Sequence, residues 1–294
     1  MDFHTPVLSA ETIDILDVQK GKIYVDATLG HGGHTLKILE KGGIIYGIDQ
    51  DPKNLEIAQN RIKKAGFSNQ FFAIHNNFNQ LENIIKNNIK QKIDGLVIDL
   101  GLSQNQQTDQ NRGFSFNDEI SLDMRLDPKK QELTAENIIN TYDYDQLYEI
   151  FSKYAQEIYS KPIILRIIKE RQKSPIKTAV RLANIIRDYY KERHIRSKID
   201  PSTKIFLSLR IAVNNEFDNL KKVLDQSLKT VALNGTVCII SFHSGEDRIV
   251  KQFIKENSNQ KIIIENKKPI KATFQEIKNN PLSRSATLRS YRIV

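Results

Sequence analysis

Apolar runs at 23–28, 44–49, 71–75 and 93–99 mark the first third of the chain. Each is a near-continuous apolar block rather than an alternation, the pattern of a strand covered on both faces. Residues 33–41, 52–65 and 78–90 between them read as helices. The order βαβαβαβ predicts an α/β fold with a parallel sheet and crossover helices.

Past Asp99 this rhythm stops. Residues 103–132 are polar and without a sustained period, and 134–198 carry apolar residues at helical spacing in several blocks. Two more helical stretches cover about 202–232. A strand in "GTVCIISFHS", a helix in "GEDRIVKQFIKEN" and strands at 261–266 and 286–294 follow. The expected organisation is one sheet domain in two parts, 1–104 and 201–294, around an inserted helical domain at 105–200. No internal repeat or long low-complexity tract is present.

Composition narrows the class. With 39% hydrophobic and 27% charged residues the 294-residue chain is of the soluble globular type. No apolar run approaches the ~20 residues that span a bilayer. The opening "MDFHTPVLSAET" has neither a basic nor an apolar signal region, so a cytoplasmic protein without a membrane partner is expected. The single cysteine, Cys238, excludes a disulfide framework within one chain and reads as a small buried hydrophobe. Six histidines and one cysteine show no metal-ligand spacing, and no catalytic metal is expected.

A formal net charge of +9 makes a polyanionic partner attractive. The basic residues gather between Lys161 and Lys204 and again at Arg284, Arg289 and Arg292. Arg166, Lys169 and Arg171 are candidates for phosphate contacts, with a solvated helix face as the competing reading. Tyr189 and Tyr190 could stack on bases, although core packing suits at least one of them better. Oligomeric state stays open between monomer and homodimer.

The candidate chemistry begins at "DATLGHGGH", residues 26–34, where a strand breaks into glycines and then a helix. Such a turn lets a ligand approach the backbone and the free N–H groups of the helix start. Thr35 stands where the dinucleotide pattern needs its third glycine, and the Lys-Ser/Thr ending of a phosphate-binding loop is absent. Asp26 before the turn disfavours a pyrophosphate and favours a zwitterionic or cationic nucleoside such as S-adenosyl-L-methionine. Asp49 lies about 20 residues on, where an acidic side chain meets ribose hydroxyls, and Asp51-Pro52 reads as a helix cap. The fourth strand ends in Asp99-Leu100-Gly101-Leu102, where amine methyltransferases carry their acceptor tetrad. A strand-end Asp capping the next loop is the alternative.

"SFHSGEDR" offers Ser244 and Asp247 as a capping box. That leaves His243, at a strand's carboxyl end, as either a substrate contact or a structural histidine. "RGFSF" and "LDMRLD" place Arg112, Asp123, Arg125 and Asp127 in a long segment that is either a lid or a salt-bridged clasp.

Taken together, the chain resembles the small-subunit ribosomal RNA methyltransferase H family, also called MraW. "HTPVL" (4–8), "DATLGHGGH" (26–34), "GIDQDP" (47–52), "DGLVIDLGLS" (94–103), "RGFSF" (112–116), "LDMRLD" (122–127), "SFHSGEDRIVK" (241–251) and "NPLSRSATLR" (280–289) carry the resemblance. It implies a class I, Rossmann-like S-adenosylmethionine-dependent methyltransferase sheet with an inserted α-helical substrate-recognition domain. The implied reaction is methyl transfer to N4 of a cytidine in the decoding region of 16S rRNA of the small ribosomal subunit. The implied cofactor contacts are Gly32, Gly33, His34, Asp49, Phe78, Asp99 and Gln106, with Asp99 and His243 as the expected catalytic residues. Ser103-Gln104-Asn105-Gln106 departs from the family's Ser-Ser-Pro-Gln, and Tyr154-Ala155-Gln156-Glu157 from its Tyr-Gly-Glu-Glu. A nicotinamide-dependent dehydrogenase and a non-catalytic RNA-binding factor are the rival readings.

Overall fold

The computed structural model describes residues 5–109, 111–258, 260–266 and 268–294. The chain divides into a sheet unit, Met1–Ser103 with Phe217–Val294, and a helical unit, Gln104–Glu216. Among the described residues no helix is long and apolar enough to cross a membrane.

The sheet unit opens with a short helix, α1 (Ser9–Leu16), that the sequence pattern did not disclose. The expected alternation then follows: β1 (Ile23–Asp26), α2 (Gly33–Glu40), β2 (Ile44–Asp49), α3 (Pro52–Lys64), β3 (Phe71–His75), α4 (Leu81–Ile84) and β4 (Ile93–Asp99). β1 to β4 pair in parallel, with β1 between β2 and β4. Two apolar clusters cover the faces, one including Val25, Ile48, Leu96 and Ile98, the other Tyr24, Ile45, Val97 and Ile240. Each such side chain, fully buried, stabilises the fold by roughly 1.5–3 kcal/mol.

After the helical unit, α11 (Glu216–Thr230) leads into β5 (Val231–Ser241), parallel to β4. The remaining elements of the sheet unit are α12 (Ser244–Asn257), β6 (Ile262–Ile264), β7 (Ile270–Lys271), α13 (Phe274–Asn279) and β8 (Thr287–Ile293). β8 pairs antiparallel with β5 and with β6, giving the order β3-β2-β1-β4-β5-β8-β6. The strand order reverses between β1 and β4, and in open α/β sheets that crevice at the strand carboxyl ends receives the ligand. This doubly wound sheet with its reversed last strand is the expected α/β class.

The helical unit contains α5 (Gln104–Thr108), α6 (Ala135–Thr141), α7 (Tyr144–Lys153), α8 (Ser160–Lys173), α9 (Ala179–Glu192) and α10 (Thr203–Asn214). The expected second boundary, 200/201, needs correction. Ile205, Phe206, Leu209 and Val213 of α10 join the core of Ile138, Phe151, Ile164 and Ile186. Asn214 fixes that placement, donating to Met124 O at 2.8 Å and accepting from Leu126 N at 3.0 Å. An amphipathic pattern shows that a helix has an apolar face, not which core that face joins.

The long polar segment is a clasp within this unit. Arg125 makes a bidentate pair with Asp123 at 2.8 and 2.6 Å, and Arg112 Nη2 donates to the carbonyls of Arg125 and Leu126. Tyr190 is buried and donates to Glu157, as the packing reading expects.

Candidate active site

The glycine turn joins β1 to α2 at the reversal point. Gly30 and Gly32 have φ of 50° and 73°, in the left-handed region that side chains resist. At Gly33 a Cβ would sit 3.0 Å from the ring of Pro6, a tight contact that only a small shift of that ring would relieve. Gly32 is also the N-cap of α2, and no side chain caps this helix start. Its first N–H groups are thus left for a ligand.

Asp26 does not line the turn as a free carboxylate. It is buried, with Oδ1 accepting from Thr28 N at 3.2 Å and Oδ2 from the Thr35 hydroxyl at 2.8 Å. Burial raises its pKa, opposed by the nearby His34 and by these hydrogen bonds. The sequence reading that set this carboxylate beside a ligand is corrected: it braces the strand–helix junction.

Asp49 ends β2 and ties the turn to the next helix. Oδ2 accepts from Gly30 N at 2.9 Å and from Asn54 Nδ2 at 3.0 Å, and Oδ1 accepts from Asp51 N at 2.8 Å. A carboxylate offers about four acceptor positions, so one remains on Oδ1 for a hydroxyl donor. Burial pushes its pKa up to about 7 against the pull of the three N–H donors. Asp51 is the N-cap of α3, accepting from Lys53 N with Pro52 behind it, as the sequence indicates.

Asp99 ends β4, directly across the reversal. Its N–H donates to Thr28 Oγ1 at 2.6 Å, which locks the end of β4 to the turn. Its carboxylate faces His34, with Nε2 3.5 Å from Oδ2. Asp99 Oδ1 and both ring nitrogens of His34 are buried without a hydrogen-bond partner among the described residues. Native proteins satisfy buried polar groups with few exceptions, so three such atoms together mark a place built for a ligand. Burial pulls the His34 pKa down, but contact with Asp99 and the charges of Asp99 and Asp26 outweigh it, and the net shift is upward.

Phe78 opens the short turn after β3, half-buried against the core cluster of Ile48 and Ile98. Gly101, two residues beyond Asp99, lies under the ring of Phe242, where a Cβ would meet Cε2 at 2.8 Å. Gln106 is buried in α5 of the helical unit. The sheet unit therefore brings together Gly32, Gly33, His34, Asp49 and Asp99 around one reversal point.

His243 corrects the expected capping box. It, rather than Ser244, is the N-cap of α12, and Glu246 rather than Asp247 is its partner. Nδ1 accepts from Glu246 N at 3.4 Å, and Nε2 lies 3.1 Å from Glu246 Oε1. Glu246 Oε2 in turn accepts from Phe242 N at 2.7 Å. The ring of His243 thus caps its own helix through Nδ1, while Nε2 is buried without a hydrogen-bond partner among the described residues. Thr28, which sequence reasoning passed over, joins the site because its hydroxyl is the acceptor at the end of β4.

The expected phosphate contacts also change. Arg166 forms a bidentate pair with Glu192 at 2.6 and 2.7 Å, and Arg171 donates to Ile139 O at 2.7 Å. Arg289 pairs with Asp247 and Arg292 with Glu265. Of the singled-out α8 residues, Lys169 alone is an exposed cation without such a bond among the described residues.

The chain matches the MraW methylase family over residues 1–294. The chain belongs to the MraW methylase family. It is 39% identical over 305 residues to a protein named ribosomal RNA small subunit methyltransferase H from Halothermothrix orenii, covering 97% of each chain. It is 40% identical over 292 residues to the protein of that name from Hydrogenobaculum sp., covering 99% of this chain and 96% of the relative. Among solved structures, a rRNA methylase from Streptococcus thermophilus superposes with a TM-score of 0.47 at 10% identity, over 97% of this chain and 95% of its own. Family membership sets the nicotinamide-dependent dehydrogenase aside.

Proposed function

We propose that this protein transfers a methyl group from S-adenosyl-L-methionine to N4 of a cytidine in the decoding region of 16S rRNA, acting in the cytoplasm on the small ribosomal subunit. The observation that carries this reading is the buried, unsatisfied pair of Asp99 and His34 beside an uncapped helix start. Homologues that span nearly the whole chain carry the name of such an enzyme.

The residues present fit the cofactor. Asp49 would accept from a ribose hydroxyl at its remaining position, Phe78 would wall the adenine, and the backbone of Gly32, Gly33 and His34 would meet the amino-acid end. When bound, S-adenosyl-L-methionine supplies a methyl group on a sulfonium sulfur, an electrophile with a neutral thioether as leaving group.

The cytosine amine is conjugated and barely basic, so its nitrogen must be placed in line with the methyl carbon and kept from water. Asp99 Oδ1 accepts an N–H of that amine, which turns the nitrogen lone pair toward the methyl group. As the C–N bond forms and the methyl carbon parts from sulfur, the amine becomes cationic and passes one proton to the Asp99 carboxylate that accepts its N–H. The Asp99 carboxylate, backed by His34, meets that developing charge without rearranging, and fixed charges of this kind stabilise a transition state most effectively. Placement supplies the rest. The backbone carbonyl of Gly101 is a second acceptor on the same turn. His243 and Glu246 act as positioning residues: through the Phe242 N–H they hold the ring that covers Gly101. A cytosine paired within a helix cannot present N4 in this way, so the target base is unstacked on binding.

Incubation with small ribosomal subunits lacking the modification tests the reading. N4-methylcytidine should appear in the digested 16S rRNA, dependent on S-adenosyl-L-methionine. RNA binding without any methylated nucleoside would favour the rival, a non-catalytic assembly factor.

A further inference from the structure

On the sheet unit, α12 carries Arg248, Lys251 and Lys255 at helical spacing, all exposed. A cleft of about 230 Å³ runs beside the second half of this helix, lined by Lys251, Lys255, Ser258, Asn266 and Arg289, with Ile254 and Ile264 among its apolar walls. Among the described residues no carboxylate lines it, although Asp247 pairs with the guanidinium of Arg289 behind it. The ammonium groups of Lys251 and Lys255 have no partner among the described residues. Like charges at i and i+4 destabilise a helix by a few tenths of a kcal/mol, so this pair is maintained at a small cost. The helix dipole accounts for Lys255 in the last turn. It does not account for Lys251, nor for the cleft between the two lysines and β8.

Arg289 gives the cleft a fixed floor. Its guanidinium is held by Asp247 at 2.8 and 3.1 Å, while Asn266 Nδ2 is aligned by Ser290 Oγ at 3.2 Å. A volume below the ~300–1,000 Å³ that encloses a drug-sized ligand suits a small anion rather than a whole nucleoside. Two exposed, unpaired ammoniums, with Ser258 and Asn266 as neutral hydrogen-bonding groups beside the Asp247-paired guanidinium, match a tetrahedral oxyanion.

We infer that this cleft between α12 and β8 is a phosphate site that receives one backbone phosphodiester of the RNA substrate. It lies outside the cofactor turn and holds the strand through the sheet unit itself. The inference rests on the reading that the substrate is RNA. Its energetic signature is counterion release, which depends on how many phosphates are neutralised and not on sequence.

The test is fluorescence anisotropy of a labelled single-stranded RNA on the full chain across a salt series. Wild type is compared with Lys251→Gln/Lys255→Gln and with a control pair on another exposed helix, Lys63→Gln/Lys64→Gln. Each lost phosphate contact of a single strand lowers the slope of log affinity against log salt by ~0.7. The α12 variant should therefore lose about 0.7 in slope, with S-adenosyl-L-methionine affinity unchanged and the control pair at the wild-type slope. A slope equal to wild type, or an equal loss in the control, would overturn the site. A second arm titrates inorganic phosphate while following the lysine ammonium NMR signals. Shifts that vanish in Lys251→Gln/Lys255→Gln support the anion site whether or not wild type methylates ribosomal subunits. Absence of those shifts counts against it, and methyl transfer measured alongside judges the RNA reading separately.

Discussion

His34 Nε2 lies 3.5 Å from Asp99 Oδ2, and around this contact both ring nitrogens and Asp99 Oδ1 are buried without other hydrogen bonds among the described residues. The two residues come from different βα turns, α2 and the end of β4, and the sheet register brings them together. Removing Asp99 takes from the buried His34 the neighbour that most favours its charged form, so the pair makes stability and chemistry depend on the same atoms.

The raised His34 pKa fixes a sign. The stability it contributes is complete below its unfolded value of about 6.5 and fades as pH rises through the folded value. His34→Asn should remove that component. The stability gap between wild type and variant is therefore widest below pH 6.5 and narrows above it, as read from urea midpoints across pH. Asp49 titrates in both proteins and cancels from the comparison, whereas Asp26, whose pKa His34 lowers, is part of the difference.

Asp49, with its pKa near 7, should make cofactor affinity rise with pH through neutrality, because the ionised carboxylate is the stronger acceptor for a ribose hydroxyl. Asp49→Asn should weaken binding by roughly 1.5–3 kcal/mol and flatten the pH profile, measured by calorimetry. A variant that keeps both wild-type affinity and the wild-type profile would remove Asp49 from the ribose.

Gly32→Ala places a side chain at φ 73° with Ile62 Cδ1 3.3 Å from the new Cβ. The left-handed conformation alone costs about 1–2 kcal/mol, and cofactor affinity should fall with it because the start of α2 shifts. Thermal unfolding with and without S-adenosyl-L-methionine reads both effects.

In the helical unit the salt dependence of RNA binding should follow exposed Arg193, Arg196 and Lys198 rather than Arg166 and Arg171. Replacing the first three by Ala should flatten the slope. Replacing the latter two should lower stability with the slope retained, since their guanidiniums serve Glu192 and a helix end. The opposite pattern in paired salt titrations would reinstate the α8 residues as phosphate contacts.

The sheet was legible because its strands are continuous apolar runs and its glycines stand where positive φ is required. Asp49 and Asp99 were legible as strand-end carboxylates, one about 20 residues beyond the glycine turn and the other at the tetrad position of amine methyltransferases. The partnerships were not. Arg166 and Glu192 are 26 residues apart and meet only through the packing of α8 on α9. His243 lost its cap to Ser244 in the sequence reading because serine is the commoner cap, whereas the end of β5 at Ser241 sets the helix register one residue earlier. β7 and α13 are too short and polar to show a period.

Asp99 carries the central claim, and single-turnover methylation by Asp99→Asn on small ribosomal subunits, with S-adenosyl-L-methionine saturating, tests it most directly. Asn keeps the shape but loses the charge that meets the developing cation, an interaction made mainly in the transition state. The rate should fall by about 10²–10³, the range for removing one fixed electrostatic group, with RNA affinity near wild type. A full wild-type rate at saturating cofactor would contradict the account and leave Asp99 a ligand of the cofactor alone.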